Sequence, residues 1–385
     1  SQPFPVTREE ALATLKEFLP RCQCYASDRN LVTVEHKNVS RLSPALRTRV
    51  LLESEVCQTV GVHCQGARCQ KFIQEVWWRL YWKGWLERHP SVWKEYRLRL
   101  AGFSDDVRTS GQMLEHGKSG IAIMDHFARE LVETGYLHNH ARMWFASFWI
   151  HVAKLPWELG ADFFLRNLLD GDAAANTLSW RWVAGLHTRG KAYLVSRSNI
   201  EQCCDPALLC SHRRGLEQLE NVSPFPFEAH LAEAPSEEPC DASPLDASKL
   251  QGRWGLWLHD EDLAVERSEL ASYQPSSIQT FQLPSDGPHR LRAMADGAAR
   301  AAAHFRVAAR CEKVNQLRDA FNEWAKTENL DTIVAMKPFV GPLLDALENV
   351  SLPLVLVRRV EDTAILPFAS QGFFQFWKKT RHLRQ

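Results

Sequence analysis

Residues 168–182 read LLDGDAAANTLSWRW. Asp170 and Asp172 stand two apart, three alanines follow, then Asn176, and Trp180 and Trp182 flank one arginine. Asp172 heads a helix, where a carboxylate opposes the positive end of the dipole. Ala173, Ala174 and Ala175 leave room for a flat group to lie against the backbone. Asn176, Trp180 and Val183 then share one helical face, with Trp182 roughly 160° around from Asn176 at about 100° per residue. Negative charge, small residues, an amide and large rings in one stretch point to the recognition of something large and flat.

Two other stretches set polar groups among aromatics. In KFIQEVWWRLYWKGWLERH, Lys71 to His89, helical spacing places Phe72, Glu75, Arg79 and Trp82 on one stripe with Trp78 beside it. A buried Glu75–Arg79 structural pair among core tryptophans is the plainer account of this stretch taken alone. In GYLHNHARMWFASFWIHVAKLPW, which starts at Gly135, Asn139, Arg142 and Met143 share a face, and Asp170 can pair with Arg142. His138 and His140 point to opposite sides, which argues against a paired metal site and reads as surface or core histidines. The turn Ser40-Arg41-Leu42-Ser43 precedes a helix start, a place suited to phosphate. Together these residues outline a pocket for a large, flat, phosphate-bearing molecule, and FAD meets those demands.

The elements that must carry these residues follow from periodicity. The chain has 385 residues, too many for one ordinary core, with 45% hydrophobic and 24% charged residues. No run approaches the roughly 18 to 20 apolar residues of a membrane span. Residues 7–200 read as helices. Thr7 with Glu10 fits a capping box; Ser43-Pro44 opens ALRTRVLLESEV as one helix; amphipathic stretches follow at 70–87, 121–134, 137–153, 158–169 and 172–186. Residues 205–249, rich in Pro, Ser, Glu and Ala, read as a linker or surface loop. From Arg253 short apolar runs (WGLWLH, IQTFQL, HFRVAAR, DTIVAMKP, PLVLVRRV) alternate with helical ones, which implies a parallel α/β layer without a Gly-rich phosphate loop. The fold class is therefore mainly α, with a helical domain over 1–204, a linker over 205–249 and a smaller α/β segment over 250–385. That segment ends in FFQFWKKTRHLR, an aromatic and basic stretch that reads as an amphipathic helix docked on the core.

Net charge is zero, with 46 Lys+Arg against 46 Asp+Glu. The first 200 residues are mildly basic, which alone is no nucleic-acid signature. Ten cysteines at irregular spacings, with Cys203 and Cys204 adjacent, read as reduced thiols of a cytoplasmic protein, and no metal site is expected.

Six ordered motifs resemble the flavin-binding helical domain of the photolyase/cryptochrome family: YASDR at Tyr25–Arg29, VSRLSPAL at Val39–Leu46, EVWWR at Glu75–Arg79, GKSG at Gly117–Gly120, GYLHNHARM at Gly135–Met143, and DGDAAANTLSWRW at Asp170–Trp182. The resemblance implies that Tyr25, Ser40, Arg41, Leu42, Ser43, Phe72, Arg79 and Asn139 contact FAD and that Arg142 and Asp170 form a salt bridge over its ring system. It places Asp172 on the adenine side and Asn176 opposite flavin N5. It also implies that Arg29, Glu75, Trp78, Asn139, Met143 and Trp182 line a cavity for a flipped-out pyrimidine dimer, with Glu75 as hydrogen-bond or proton donor. Trp180 and Trp157 match the proximal and middle rings of the chain that photoreduces the flavin. No tryptophan stands at the distal place in LAGFSDDVRTSGQMLEHG, which leaves Trp144 or Trp149 as other exits. Phe72 and Val39 depart from the tryptophan and threonine common in the family. The family's α/β antenna domain has no counterpart before the helices, and an α/β segment follows them instead.

Asn176, Glu75, Met143 and Trp182 together favour the repair branch: a deoxyribodipyrimidine photolyase. It would be a lyase that passes an electron from light-excited reduced FAD to a cyclobutane dimer, with single strands preferred. The expected partner is UV-damaged DNA, with no membrane and a monomeric state. The alternative from the same family is a cryptochrome-like blue-light photoreceptor without repair turnover.

Overall fold

A computed structural model of the chain describes residues 4–64, 67–188, 190–226 and 244–384. These divide into two compact units. The first holds residues 21–40 and 89–226, and the second holds residues 4–20, 41–88 and 244–384.

The first unit is helical, as its aromatic periodicity predicts. Its helices include Pro90–Gly102, Asp105–Glu115, Ala122–Thr134, Asn139–Ser147, Trp157–Asn167 and Ala173–Val183. Phe127, Trp144, Phe145, Trp149, Phe163, Phe164 and Trp180 fill the core. The helix from Asn139 runs into a π turn, Phe148–Val152, so the stretch expected as one helix over 137–153 changes its hydrogen-bond pitch. Residues 21–40 are tied in by backbone bonds around Val32, whose amide donates to Cys203 and whose carbonyl accepts from Asp205. Gly160 sets the approach of two helices, since a Cβ there would lie 2.3 Å from the Trp180 ring.

The second unit carries a sheet of five parallel strands, β1 (Trp254–Leu258), β2 (Ser277–Gln282), β3 (Ala309–Lys313), β4 (Thr332–Met336) and β5 (Leu354–Val357), in the order β3-β2-β1-β4-β5. Alternation along β1 divides its residues between two cores. Trp254, Leu256 and Leu258 face the Pro288–Phe305 helix through Ala301 and Phe305. Trp257 faces Phe321 and Trp324 of the Leu317–Glu328 helix. Burial on both faces explains why β1, β2 and β4 read as apolar runs, whereas β3 at the sheet edge is exposed and begins only at the end of HFRVAAR, whose His304 and Phe305 belong to the preceding helix.

Strand order reverses between β1 and β4, and open α/β sheets take ligands outside the carboxyl ends of strands at such a point. Here that crevice is closed by the chain's own charges. His259 bonds the Met336 carbonyl at 2.7 Å. Arg359 grips Asp262 with two bonds of 2.8 Å. Arg49 grips Asp362 at 2.7 and 2.9 Å and reaches Glu53 at 3.2 Å. The void left among them measures about 10 Å³, the size of one water.

Arg49 also corrects the reading of ALRTRVLLESEV as one helix. The segment splits into Ser43–Thr48 and Glu53–His63, because Arg49 adopts a left-handed φ of 51°. The ion pairs its side chain makes in that place offset a backbone cost of about 1–2 kcal/mol. A second correction concerns the thiols: Cys64 and Cys69 are joined in a disulfide, which removes both from any metal set. Cys22, Cys24, Cys57, Cys203, Cys204, Cys210 and Cys311 are free. Cys240 and residues 227–243 of the expected linker lie outside the described residues; its earlier part carries the helix Pro206–Cys210.

Candidate functional site

The candidate residues divide between the two units. In the first, the Asn139–Ser147, Trp157–Asn167 and Ala173–Val183 helices position most of them. Asp172 is the N-cap of the latter, its Oδ1 accepting from the Ala175 amide at 2.8 Å, as the sequence pattern predicts. One turn on, Asn176 donates from Nδ2 to the Ala161 carbonyl at 2.8 Å. That bond fixes the amide, and Oδ1 accepts no hydrogen bond among the described residues.

Arg142 and Asp170, 28 residues apart, meet in a bidentate pair of 3.0 and 2.8 Å. Burial disfavours the Arg142 charge, but Asp170 outweighs it through charge and hydrogen bonds, so the guanidinium pKa is raised. The Arg142 Nε also donates to the Leu137 carbonyl, and its guanidinium lies 5.1 Å from the Tyr136 ring. Buried beside it, His138 accepts from the His140 amide through Nδ1, while its Nε2 has no partner. Burial, reinforced by the charges of His36, His140 and Arg142, pulls the His138 pKa down to about 3. It is thus a neutral core group, as expected, and among the described residues no cluster of His, Cys, Asp and Glu is disposed to hold a metal.

Asn139 and Met143 lie one turn apart, with Nδ2 3.8 Å from Sδ. Trp182 is half-buried and stacks on Tyr193 at 5.7 Å. Trp180 is buried, its ring edge-on to Phe164 at 5.0 Å and to Trp149 at 6.2 Å, and its Nε1 has no hydrogen-bond partner. Trp157 stacks on Tyr96 at 5.6 Å, and Tyr96 lies 5.2 Å from Trp93. This continuation was not visible in the sequence; Tyr96 belongs to a helix that carries none of the family motifs. Trp144 instead donates its indole N–H to Asn199. Tyr25 and Arg29 sit in the one-turn helix Tyr25–Asp28 and at its end. The GKSG motif is a turn in which the Ser119 amide and hydroxyl both bond Asp125 Oδ1.

The boundary between the units falls within the Ser40-Arg41 turn, where Arg41 has a φ of 60°. Leu42 is buried and Ser43 opens the six-residue helix Ser43–Thr48. On the Gln70–Arg88 helix, Phe72 is buried against Phe18 at 4.8 Å, Glu75 pairs with Lys71 at 2.9 Å, and Arg79 is half-buried. Trp78 stacks face to face on Phe373, centroids 3.8 Å apart and planes 7° from parallel. Phe373 lies 295 residues further along the chain, so nothing in the local sequence announces this contact.

Residues 72–208 match the model of the FAD-binding domain of DNA photolyase. That stretch of the chain is an FAD-binding domain of the photolyase type. FAD is the cofactor of this domain type. Over 203 residues the chain is 32% identical to the deoxyribodipyrimidine photo-lyase of Escherichia coli, covering 49% of this chain and 42% of that protein. Over 199 residues it is 32% identical to that of Thermus thermophilus, covering 50% and 46%. The chain thus spans less than half the length of these curated relatives. Among solved structures, a cryptochrome from Synechocystis sp. PCC6803 matches with a TM-score of 0.46 at 24% identity, covering 51% of this chain and 43% of that one. Among the described residues no helix is long and apolar enough to cross a membrane.

The donor set of the first unit fits a flavin. An Arg–Asp pair that ties the Asn139–Ser147 helix to the turn before the Ala173–Val183 helix, an amide with one end fixed and its oxygen available, and a small-residue helix start are what a flat, polar-edged ring system requires.

Proposed function

We propose that this protein is a light-driven DNA repair enzyme acting on cyclobutane pyrimidine dimers, with single-stranded DNA preferred. Bound reduced FAD would supply the light-excited electron for dimer splitting and would take it back once the ring has opened. The chain's own residues bind, orient and tune. Arg142, locked to Asp170, presents a fixed positive charge beside the ring system. Asn176 offers its carbonyl oxygen as an acceptor for a ring N–H and supplies no readily titratable acid. Tyr25, Ser40, Arg41, Leu42, Ser43, Phe72, Arg79, Asn139 and Asp172 are assigned to cofactor contacts by resemblance to the family. Arg29, Glu75, Trp78, Asn139, Met143 and Trp182 are assigned to the extruded dimer, which aromatic rings hold by stacking. Trp180 and Trp157 are assigned to photoreduction.

The observation that carries this reading is the orientation of Asn176: its Nδ2 is tied to Ala161, which leaves an amide oxygen and no acid at the position assigned to flavin N5. The test is direct. Purified protein is loaded with FAD, reduced, mixed with single- or double-stranded oligonucleotides carrying one cyclobutane dimer, and illuminated. Repair of the single strand faster than the duplex is expected; FAD uptake without repair of either substrate overturns the proposal.

One observation favours the second reading, a blue-light photoreceptor without turnover. Trp78 and Trp182 each already stack on a ring of the chain itself, Phe373 and Tyr193. Photoreduction with no preference for dimer-containing DNA would establish it.

A further inference from the structure

The helix Phe373–Lys379 is two-faced. Inward, Phe373 stacks on Trp78, Phe376 lies 5.8 Å from Trp77, and Arg384 closes the cluster with its guanidinium 3.4 Å from the Trp377 ring centre. Outward, Phe374 is 72% exposed, and Gln375, Lys378, Lys379, Arg381 and His382 are exposed. Phe374 and Lys378 lie one turn apart on the helix, and Arg381 follows in the short turn Arg381–Leu383. No Asp or Glu occurs after Asp362, although the whole chain carries equal numbers of acids and bases. Among the described residues no carboxylate pairs with Lys378, Lys379 or Arg381. The positive charge is therefore segregated and available.

We propose that this outward face is a docking surface for single-stranded nucleic acid, with Lys378, Lys379 and Arg381 on backbone phosphates and Phe374 stacking on a base. An exposed ring flanked by cations without acidic neighbours is the combination that strand binding uses, because every base has a stackable face and every nucleotide a charge. A membrane surface would need a broad apolar face turned outward, and here that face is buried under Trp77 and Trp78. The surface is also continuous with a candidate substrate residue: Phe374 meets Phe373 edge-on at 5.6 Å, and Phe373 stacks on Trp78. A strand held by this outward face lies next to the element that bears that indole. Only the identity of the strand as damaged DNA rests on the function proposed above.

The test titrates full-length protein in the dark with an undamaged oligothymidylate and with the same oligonucleotide carrying one dimer, across a salt series. The triple variant K378A/K379A/R381A is expected to bind the undamaged strand at least about tenfold more weakly and to lower the magnitude of the salt slope by about two. F374A is expected to weaken binding about tenfold with the slope unchanged. A control triple of exposed lysines elsewhere, K16A/K313A/K326A, is expected to change little. The proposal is overturned if the triple variant binds the undamaged strand like the parent, if the control loses as much, or if the parent binds phosphatidylserine vesicles and not the oligonucleotide. The ratio of affinities for damaged and undamaged strands reports separately on the repair reading. A ratio of one with the triple-variant loss intact would sink repair and leave this surface standing.

Discussion

In the second unit Arg49, Glu53, Asp262, Arg359 and Asp362 are almost wholly withdrawn from solvent, and each lies against an opposite charge. In the first unit the buried polar groups around the Ala173–Val183 helix include atoms with no partner: Thr177 Oγ1, Trp180 Nε1 and His138 Nε2. The contrast separates two uses of buried polarity. A lattice of opposed charges holds a fold and closes the crevice where a ligand of the sheet would sit, although Arg49 Nε and Glu53 Oε1 within it also lack a hydrogen bond. Polar capacity left over beside a fixed amide and a rigid Arg–Asp pair is the pattern expected where a bound molecule supplies the missing partners.

The strongest way to break that distinction is Arg49→Met. It leaves Asp362, Glu53 and Asp262 facing one another without their shared cation and should cost about 3–5 kcal/mol in urea unfolding. A loss below about 1 kcal/mol would show that the lattice does not hold the fold.

Acid should separate the units next. His138, with its pKa near 3, and His187, lowered to about 4 by burial and by Arg181 and His89, stay neutral in the folded first unit and gain protons readily once unfolded. The unfolded state then binds more protons as pH drops below about 6.5, so stability falls from there toward pH 4, on the order of 3 kcal/mol for each group at full extent. His36, His140, Arg142 and Glu130 are the charged or titratable neighbours that His138 faces. In the second unit burial alone would raise the pKa values of Asp260, Asp262 and Asp362, but their arginines outweigh it and hold all three below the usual carboxylate value, Asp262 furthest. Their contribution is present above pH 3.8 and is lost below it. Tryptophan near-UV circular dichroism during acid titration should therefore fall in two steps, and His138→Phe should shrink only the first.

Within the first unit, Trp157→Phe should abolish photoreduction of bound FAD, and Tyr96→Phe should slow it, because Tyr96 stacks on Trp157 and leads to Trp93. Unchanged photoreduction kinetics in Tyr96→Phe would remove this branch. The smallest effect on stability belongs to Asn176→Ala, which deletes one buried hydrogen bond at about 1 kcal/mol. Its signature should appear in the absorption spectrum of bound flavin; a spectrum identical to the parent's would place Asn176 away from the ring.

The legible parts were those governed by neighbours in sequence. The Thr7–Glu10 capping box forms as written, the five strands fall within or beside the apolar runs that announced them, and Arg142 finds Asp170. In each case a period or a strong charge match survives folding. The left-handed turn at Arg49 was not legible, because its compensation lies 313 residues away at Asp362. Phe373 behind Trp78 and Tyr96 behind Trp157 were missed for a related reason: stacking carries no register in the sequence. The Cys64–Cys69 bond was hidden by the irregular spacing of the other thiols.

The Arg49 pairing has a further consequence for biosynthesis. Arg47, Arg49 and Lys83 leave the ribosome early, whereas Asp260, Asp262 and Asp362 emerge only in the last third of translation. The helical unit, whose described residues end at 226, is made before the acids of the sheet and is free to close first, while the earlier cationic segment must wait, hydrated, for them. Chains released prematurely would carry that segment with Glu53 as the remaining acid of the lattice, which makes them natural clients for chaperones and proteases.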